Sequence, residues 1–319
     1  MTEFYCVLIG FTAMLAGGFW GLGGGWYIVP ALLALGVNRD IAATASLLQM
    51  CGSTFLTVAK QFKSIGWRRG EIGLTVALPL CGMAFIGGFF GKGLSSFIIE
   101  TLGWIFFDKV LFISLMLWIS YKSFMVNEKH INAVEEFHNR PFIVTSAGAT
   151  VGVLSSFLGI GGGTLNRPLL TNVLHLKEKY TGKICRLAVF VTALSGSIGY
   201  LFLSDNGSIS INLSSNAKAA LNYAVFLVIG GSIGYPIGAV LHSYTVKAKN
   251  DHNVSRSFSI IALTVAVALL FRTFNLEKIS LYIVIGCGIM IVIYLIIQTL
   301  KNKQKIEKID ESNLHLEHN

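Results

Sequence analysis

The sequence predicts an all-α polytopic membrane protein made of two inverted-topology repeats, each with a helix broken as a hairpin at a glycine-rich motif. Three observations predict it. Hydrophobic residues make up 53% of the 319 and charged residues only 13%, about half the charged share of a soluble domain. The motif Gly-Leu-Gly-Gly-Gly at 21–25 recurs as Gly-Ile-Gly-Gly-Gly at 159–163, and shifting residues 10–32 by 138 gives nine identities in 23 positions. Loops rich in Lys and Arg also alternate with loops poor in them, in a phase that reverses between the halves.

Taken in order, residues 4–38 hold 35 positions without a charge, too many for one span of roughly 20 residues. They are read as a helix to Trp20, a break, and a shorter helix from Trp26 to Gly36. A span at 41–59 follows and ends in Lys60, Lys63, Arg68 and Arg69; spans at 72–90 and 104–121 complete a first repeat, 1–124. Residues 125–141 form a polar cytoplasmic linker. The second repeat, 142–300, begins with 142–157, breaks, and resumes as a short helix at 164–176. Spans at 187–204, 219–246, 258–271 and 279–300 close it. The polar tail 301–319 is expected to be disordered.

Orientation follows from the positive-inside rule. The basic loops 60–71, 122–140, 175–186 and 245–256 and the tail face the cytoplasm; loops 91–103 and 205–218 and the N-terminus lie outside. The loop after the third helix is thus inside in one half and outside in the other. This inversion, combined with broken helices, is characteristic of secondary transporters with a midplane site. The N-terminus has no Lys or Arg ahead of its apolar run, so it reads as a membrane segment, not a signal peptide. The formal charge of +9 resides in loops and tail, which speaks against nucleic-acid binding. The implied surroundings are a lipid bilayer and a small anionic substrate. No cofactor is expected. No metal site is expected either, since His315 and His318 fall on the polar tail, and the five cysteines form no Cys-x-x-Cys pair.

The glycine breaks carry the chemistry. Unpaired backbone in hydrocarbon costs several kcal/mol, so a break implies a polar cavity. Helix starts there present N–H groups to an anion, and Gly23, Gly24, Gly25, Gly161, Gly162 and Gly163 allow close approach. Pro30 and Pro168 are placed in the first turns of the short helices. Close packing is the alternative role for glycine; it suits Gly87 and Gly91, and Gly230, Gly234 and Gly238. Asn166 and Arg167 should lie deep, with Arg167 as an anion contact. Arg186 reads equally as an interfacial anchor or a substrate contact. Ser46, Gln49, Thr192 and Ser195 are polar positions that either line the site or hydrogen-bond between helices. Trp20 and Trp26 flank the first break, where bulky packing is the expected role. Glu71, Glu100 and Asp108 stand near segment ends and are expected to be exposed, so no proton-coupling carboxylate is named.

The stretches GLGGGWYIVPALLALGV and AATASLL, repeated as GIGGGTLNRPLL and VFVTALSGSIGYL, resemble the sulfite exporter (TauE/SafE-type) permeases over about residues 10–60 and 148–202. The resemblance implies an inner-membrane permease for sulfur oxyanions or organosulfonates such as sulfite, usually exported. The chain departs from the family pattern around the breaks. The family's Thr-Ser pair stands here as Ala45-Ser46, and in the second half as Ile184-Cys185 followed by Arg186. Asn166 and Arg167 occupy positions that are usually apolar. An anion channel shares these features and is the alternative. A membrane-embedded enzyme is less favoured, because the spans offer no partnered histidine or carboxylate.

Overall fold

The computed structural model describes residues 2–98, 103, 107–125, 141–174, 176, 178–203, 214–247 and 252–317. Glu100, nearly all of the 125–141 linker, and most of the 205–218 loop lie outside them.

The described residues form an all-helical fold with eleven α-helices. These are α1 (Thr2–Trp20), α2 (Gly25–Ala34), α3 (Arg39–Phe62), α4 (Leu78–Ser96), α5 (Phe107–Phe124), α6 (Pro141–Leu158), α7 (Gly163–Pro168), α8 (Glu178–Phe202), α9 (Ser215–Lys247), α10 (His252–Thr273) and α11 (Glu277–Glu317). Among the described residues, six helical segments are long and apolar enough to cross a bilayer, including 39–65, 180–202 and 215–245. A wide turn, Gly73–Ala77, leads into α4. At the start of α3 the Asn38 side chain accepts from the Asp40 N–H at 3.1 Å, and Asp40 places a carboxylate in the first turn, where the helix dipole favours it.

Packing joins the halves. α1 lies parallel to α9, with Gly230, Gly234 and Gly238 against the backbone of Val7, Phe11 and Leu15. α4 lies parallel to α6 in the same manner, with Gly87 on Ala149 and Gly152 on Ala84. These are helix-packing glycines of the small-residue kind, as their spacing suggests. α3 and α8 run antiparallel past each other: Arg186 Nε donates to Gln61 Oε1 at 2.9 Å, the Phe55 and Phe190 rings lie 5.9 Å apart, and Leu47 meets Gly196. α5 and α10 are joined by Ser120, whose hydroxyl donates to the Ser259 carbonyl at 2.9 Å. Trp20 and Trp26 are wholly buried. Trp20 stacks on Tyr294 at 5.9 Å, and Trp26 meets Phe258 edge-on at 5.5 Å, so both pack the core.

Three expectations need correction. The tail expected to be disordered continues α11 as helix to Glu317; residues 289–317 contain neither Gly nor Pro and are rich in Lys, Glu, Gln and Leu, all good helix formers. Pro30 is the sixth residue of α2 and Pro168 the last of α7, not in their first turns, because both helices start earlier, at the last glycine of each motif. The second short helix ends at Pro168 and widens to a π turn over Leu169–Val173, where proline's missing N–H interrupts the regular ladder.

Candidate functional site

The helix stops at Trp20 and at Leu158 and starts again at Gly25 and Gly163. Between these points Gly21 and Gly23 have φ of 71° and 72°, and Gly159, Gly161 and Gly162 have φ of 70°, 70° and 72°, a region that L side chains rarely enter. The two interruptions meet in the core. A Cβ on Gly25 would lie 2.7 Å from the Gly159 carbonyl oxygen, and one on Gly163 would overlap the Leu22 carbonyl. Glycine is therefore needed at these two positions because backbone faces backbone. From α3, Ser46 donates its hydroxyl to the Gly159 carbonyl at 2.9 Å.

On its other side the second interruption faces polar groups. A Cβ on Gly162 would lie 2.7 Å from Thr192 Oγ1 and 3.3 Å from Asn166 Nδ2. Asn166 and Thr192 are fully buried. Thr192 donates to the Ala188 carbonyl at 2.7 Å, whereas neither amide atom of Asn166 has a hydrogen-bond partner. The first interruption differs. At Gly24 the neighbours are the Met14 sulfur, Ala13 and Ile28, all apolar, while Met50 and Val189 press on Gly23. Gln49 is buried and donates to Ser53 at 3.1 Å beside Gly231 of α9, with its Oε1 unpartnered. Of the expected residues, the structure thus groups Gly162, Asn166 and Thr192, while Gly161 faces Met50 and Gly163 faces Leu22. Gly25 and Ser46 line the joint between the interruptions, Gly23 faces Met50 and Val189, Gly24 faces Met14 and Ala13, and Gln49 stands on α3 against α9. Ser195 donates to the Phe85 carbonyl, tying α8 to α4.

The arginines end helices. Arg167, 2% exposed, donates through Nη1 to the Trp20 carbonyl at the C-terminus of α1. Arg186 approaches the Gly18 carbonyl of the same turn at 3.5 Å. Cations suit this end of the helix dipole, where carbonyls lack intrahelical donors. Arg186 is 6% exposed and also donates to Gln61 at the end of α3.

A second cluster escaped the sequence reading. Arg39 reaches the C-terminus of α6: Nη2 donates to the Phe157 carbonyl at 2.8 Å, Nη1 to Ser95 at 2.7 Å, and Nε pairs with Asp108 at 2.8 Å. Lys92 pairs with Asp40 at 3.3 Å and lies 5.4 Å over the Tyr200 ring, and the Tyr200 hydroxyl donates to the Phe157 carbonyl at 3.3 Å. Asp108, expected to be exposed, has a side chain only 13% accessible, because Arg39 folds over it. Lys92 as a lone cation within a glycine-rich span was the signal available for this cluster. At the opposite end of α3 a cavity of about 450 Å³ is lined by Lys63, Ser64, Glu71, Tyr180 and Lys183.

The long apolar helices are those of a multi-pass membrane protein. The family model for the sulfite exporter TauE/SafE matches residues 6–269, and the chain belongs to that family. Among curated proteins it is similar to the probable membrane transporter protein YdhB of Bacillus subtilis, 29% identical over 61% of this chain and 77% of the relative. It is also similar to the probable membrane transporter protein YunE of the same organism, 25% identical over 74% of this chain and 87% of the relative. The probable membrane transporter protein MJ0441 of Methanocaldococcus jannaschii is 23% identical over 72% of this chain and 84% of its own length. No solved structure matches the chain.

Proposed function

We propose that this transporter is a secondary permease of the cell membrane that carries a small sulfur oxyanion or organosulfonate such as sulfite, in the export direction. The observation that carries this reading is the meeting of the two helix interruptions in the core, with the buried, unpartnered amide of Asn166 beside Gly162. A buried polar group without a partner costs about 1–3 kcal/mol, and a passing ligand is what would relieve it. The anion is held at the second interruption by Gly161, Gly162, Gly163, Asn166 and Thr192. Gly23, Gly24, Gly25, Ser46 and Gln49 shape the wall of the first half.

Arg167 and Arg186 set a positive potential beside this site while engaged with the carbonyls of α1. The two halves are inverted, with the N-terminus outside and the C-terminus cytoplasmic. The antiparallel passage of α3 and α8, corresponding helices of the two repeats, supports the inversion. Transport then rocks one half against the other about a fixed site. The cavity between Lys63 and Lys183 sits on the basic, cytoplasmic end and is the entrance for exported anions.

The test is uptake of labelled sulfite, sulfate, organosulfonates and small carboxylates into vesicles reconstituted with the purified protein. Saturable uptake of sulfur anions, competed by unlabelled sulfite, is expected. Uptake confined to carboxylates, or none above protein-free vesicles, contradicts the reading.

A further inference from the structure

We propose that the transported species is an oxyanion that still carries a hydroxyl group, the protonated monoanion, hydrogen sulfite in the sulfur series, and that Asn166 and Thr192 select it; this rests on the anion-permease reading above. The argument is a count of donors and acceptors. Thr192 spends its hydroxyl proton on the Ala188 carbonyl at 2.7 Å, so towards Gly162 it presents lone pairs. Asn166 is wholly buried, and both its Oδ1 and its Nδ2 are without partners. An amide offers two donor protons and one acceptor oxygen, and exchanging its oxygen and nitrogen leaves that count unchanged.

A fully deprotonated oxyanion has only acceptors. It would satisfy the Asn166 N–H groups while setting its negative oxygens against the amide oxygen and the Thr192 lone pairs. An anion with one O–H satisfies both kinds of group. Sites built to hydrogen-bond a ligand hydroxyl discriminate strongly against analogues that lack it.

The two halves differ at this point. The position equivalent to Asn166 in the first half is Ile28, whose Cδ1 lies 3.1 Å from where a Gly24 Cβ would stand, and the Met14 sulfur lies 2.8 Å from it. That half-site is apolar. One anion per chain therefore docks off-centre, at the second interruption.

The surrounding elements carry Arg167 on α7, Cys185, Arg186 and Tyr200 on α8, Tyr235 and His242 on α9, and, packed together near the end of α6, Arg39 and Asp40 of α3, Lys92 of α4 and Asp108 of α5, among other titratable groups. Binding to the purified full-length protein is measured for sulfite, sulfate and methanesulfonate on either side of sulfite's own second ionisation. Methanesulfonate, a monoanion without an O–H, reports any titration of the protein itself. Sulfite should bind at least about tenfold more tightly on the acidic side than on the alkaline side, and there at least about tenfold more tightly than sulfate or methanesulfonate, the effect of one hydrogen bond to a charged ligand. Methanesulfonate binding as tightly as sulfite on the acidic side overturns this proposal and leaves the anion reading standing. Binding of none of the three overturns both. Asn166→Ile, which copies the first half, should lose sulfite binding without losing thermal stability. An unchanged sulfite preference in that variant removes Asn166 from the site.

Discussion

The guanidinium of Arg39 and the carboxylate of Asp108 lie 2.8 Å apart, and the same guanidinium donates to the Phe157 carbonyl two residues before the second glycine run. One ion pair thus ties α3 and α5 to the point where α6 stops. Arg167 holds the corresponding place at the end of α1 through the Trp20 carbonyl. Each interrupted helix ends on an arginine supplied from elsewhere in the fold, which answers the cost of leaving C-terminal carbonyls inside a membrane.

Asp108→Asn should lower thermal stability in detergent by about 1–3 kcal/mol, since it removes the nearer of the two carboxylates, Asp108 and Asp40, that pair with the partly buried Arg39 charge. Partial exposure of both side chains keeps the loss below that of a fully buried pair. Thermal unfolding followed by intrinsic fluorescence checks it. A midpoint equal to wild type would show that the pair contributes nothing.

Arg167→Gln should also reduce stability, because the Trp20 carbonyl loses its donor, while anion affinity, losing a nearby charge but no contact, falls by less than about tenfold. A direct guanidinium contact with the anion would instead cost roughly ten- to a hundredfold in affinity. Parallel melting and binding curves separate the two outcomes, and a large affinity loss at unchanged stability would place Arg167 on the ligand.

Glycine substitutions should divide by what the new Cβ meets. Gly163→Ala drives a methyl into the Leu22 backbone and should abolish folded, monodisperse protein. Gly24→Ala meets the end of the flexible Met14 side chain at 2.8 Å and the Ala13 methyl and should cost about 1–3 kcal/mol, the range for overpacking a core. Size-exclusion profiles and melting points check both, and equal tolerance of the two would argue against backbone-to-backbone contact.

Topology is open to direct test. Single cysteines placed at the N-terminus and in the tail, in a background free of the five native cysteines, should label from outside and inside respectively. Labelling of both from one side contradicts the inverted arrangement.

Much of the fold was legible because a bilayer imposes strong rules. Apolar run lengths marked the spans, and Gly-x-x-x-Gly spacing marked the faces on which α1 meets α9 and α4 meets α6. Three glycines in a row mark where a helix cannot continue at low cost. Other features were not legible, for reasons that are three-dimensional. The Cβ-free contact of Gly25 with Gly159 joins residues 134 apart, so the glycines' packing role was hidden behind their suitability for a ligand. The contact of Arg167 with the end of α1 was not legible because it is made to a main-chain carbonyl, which carries no side-chain signature. Asp108 read as exposed because segment ends usually are, and only the placement of Arg39 buries it. The tail read as disordered from its polarity, although its helix propensity pointed the other way.

The central claim, that the joined interruptions form a carrier site for a small sulfur oxyanion, is tested most directly by sulfite exchange. Proteoliposomes loaded with unlabelled sulfite and diluted into labelled sulfite are compared for the wild-type protein and Asn166→Ile. The account predicts saturable uptake accelerated by internal sulfite in the wild type, and its loss in a variant that remains folded and inserted. Equal uptake by both proteins, or wild-type uptake no faster than that of empty vesicles, would contradict it.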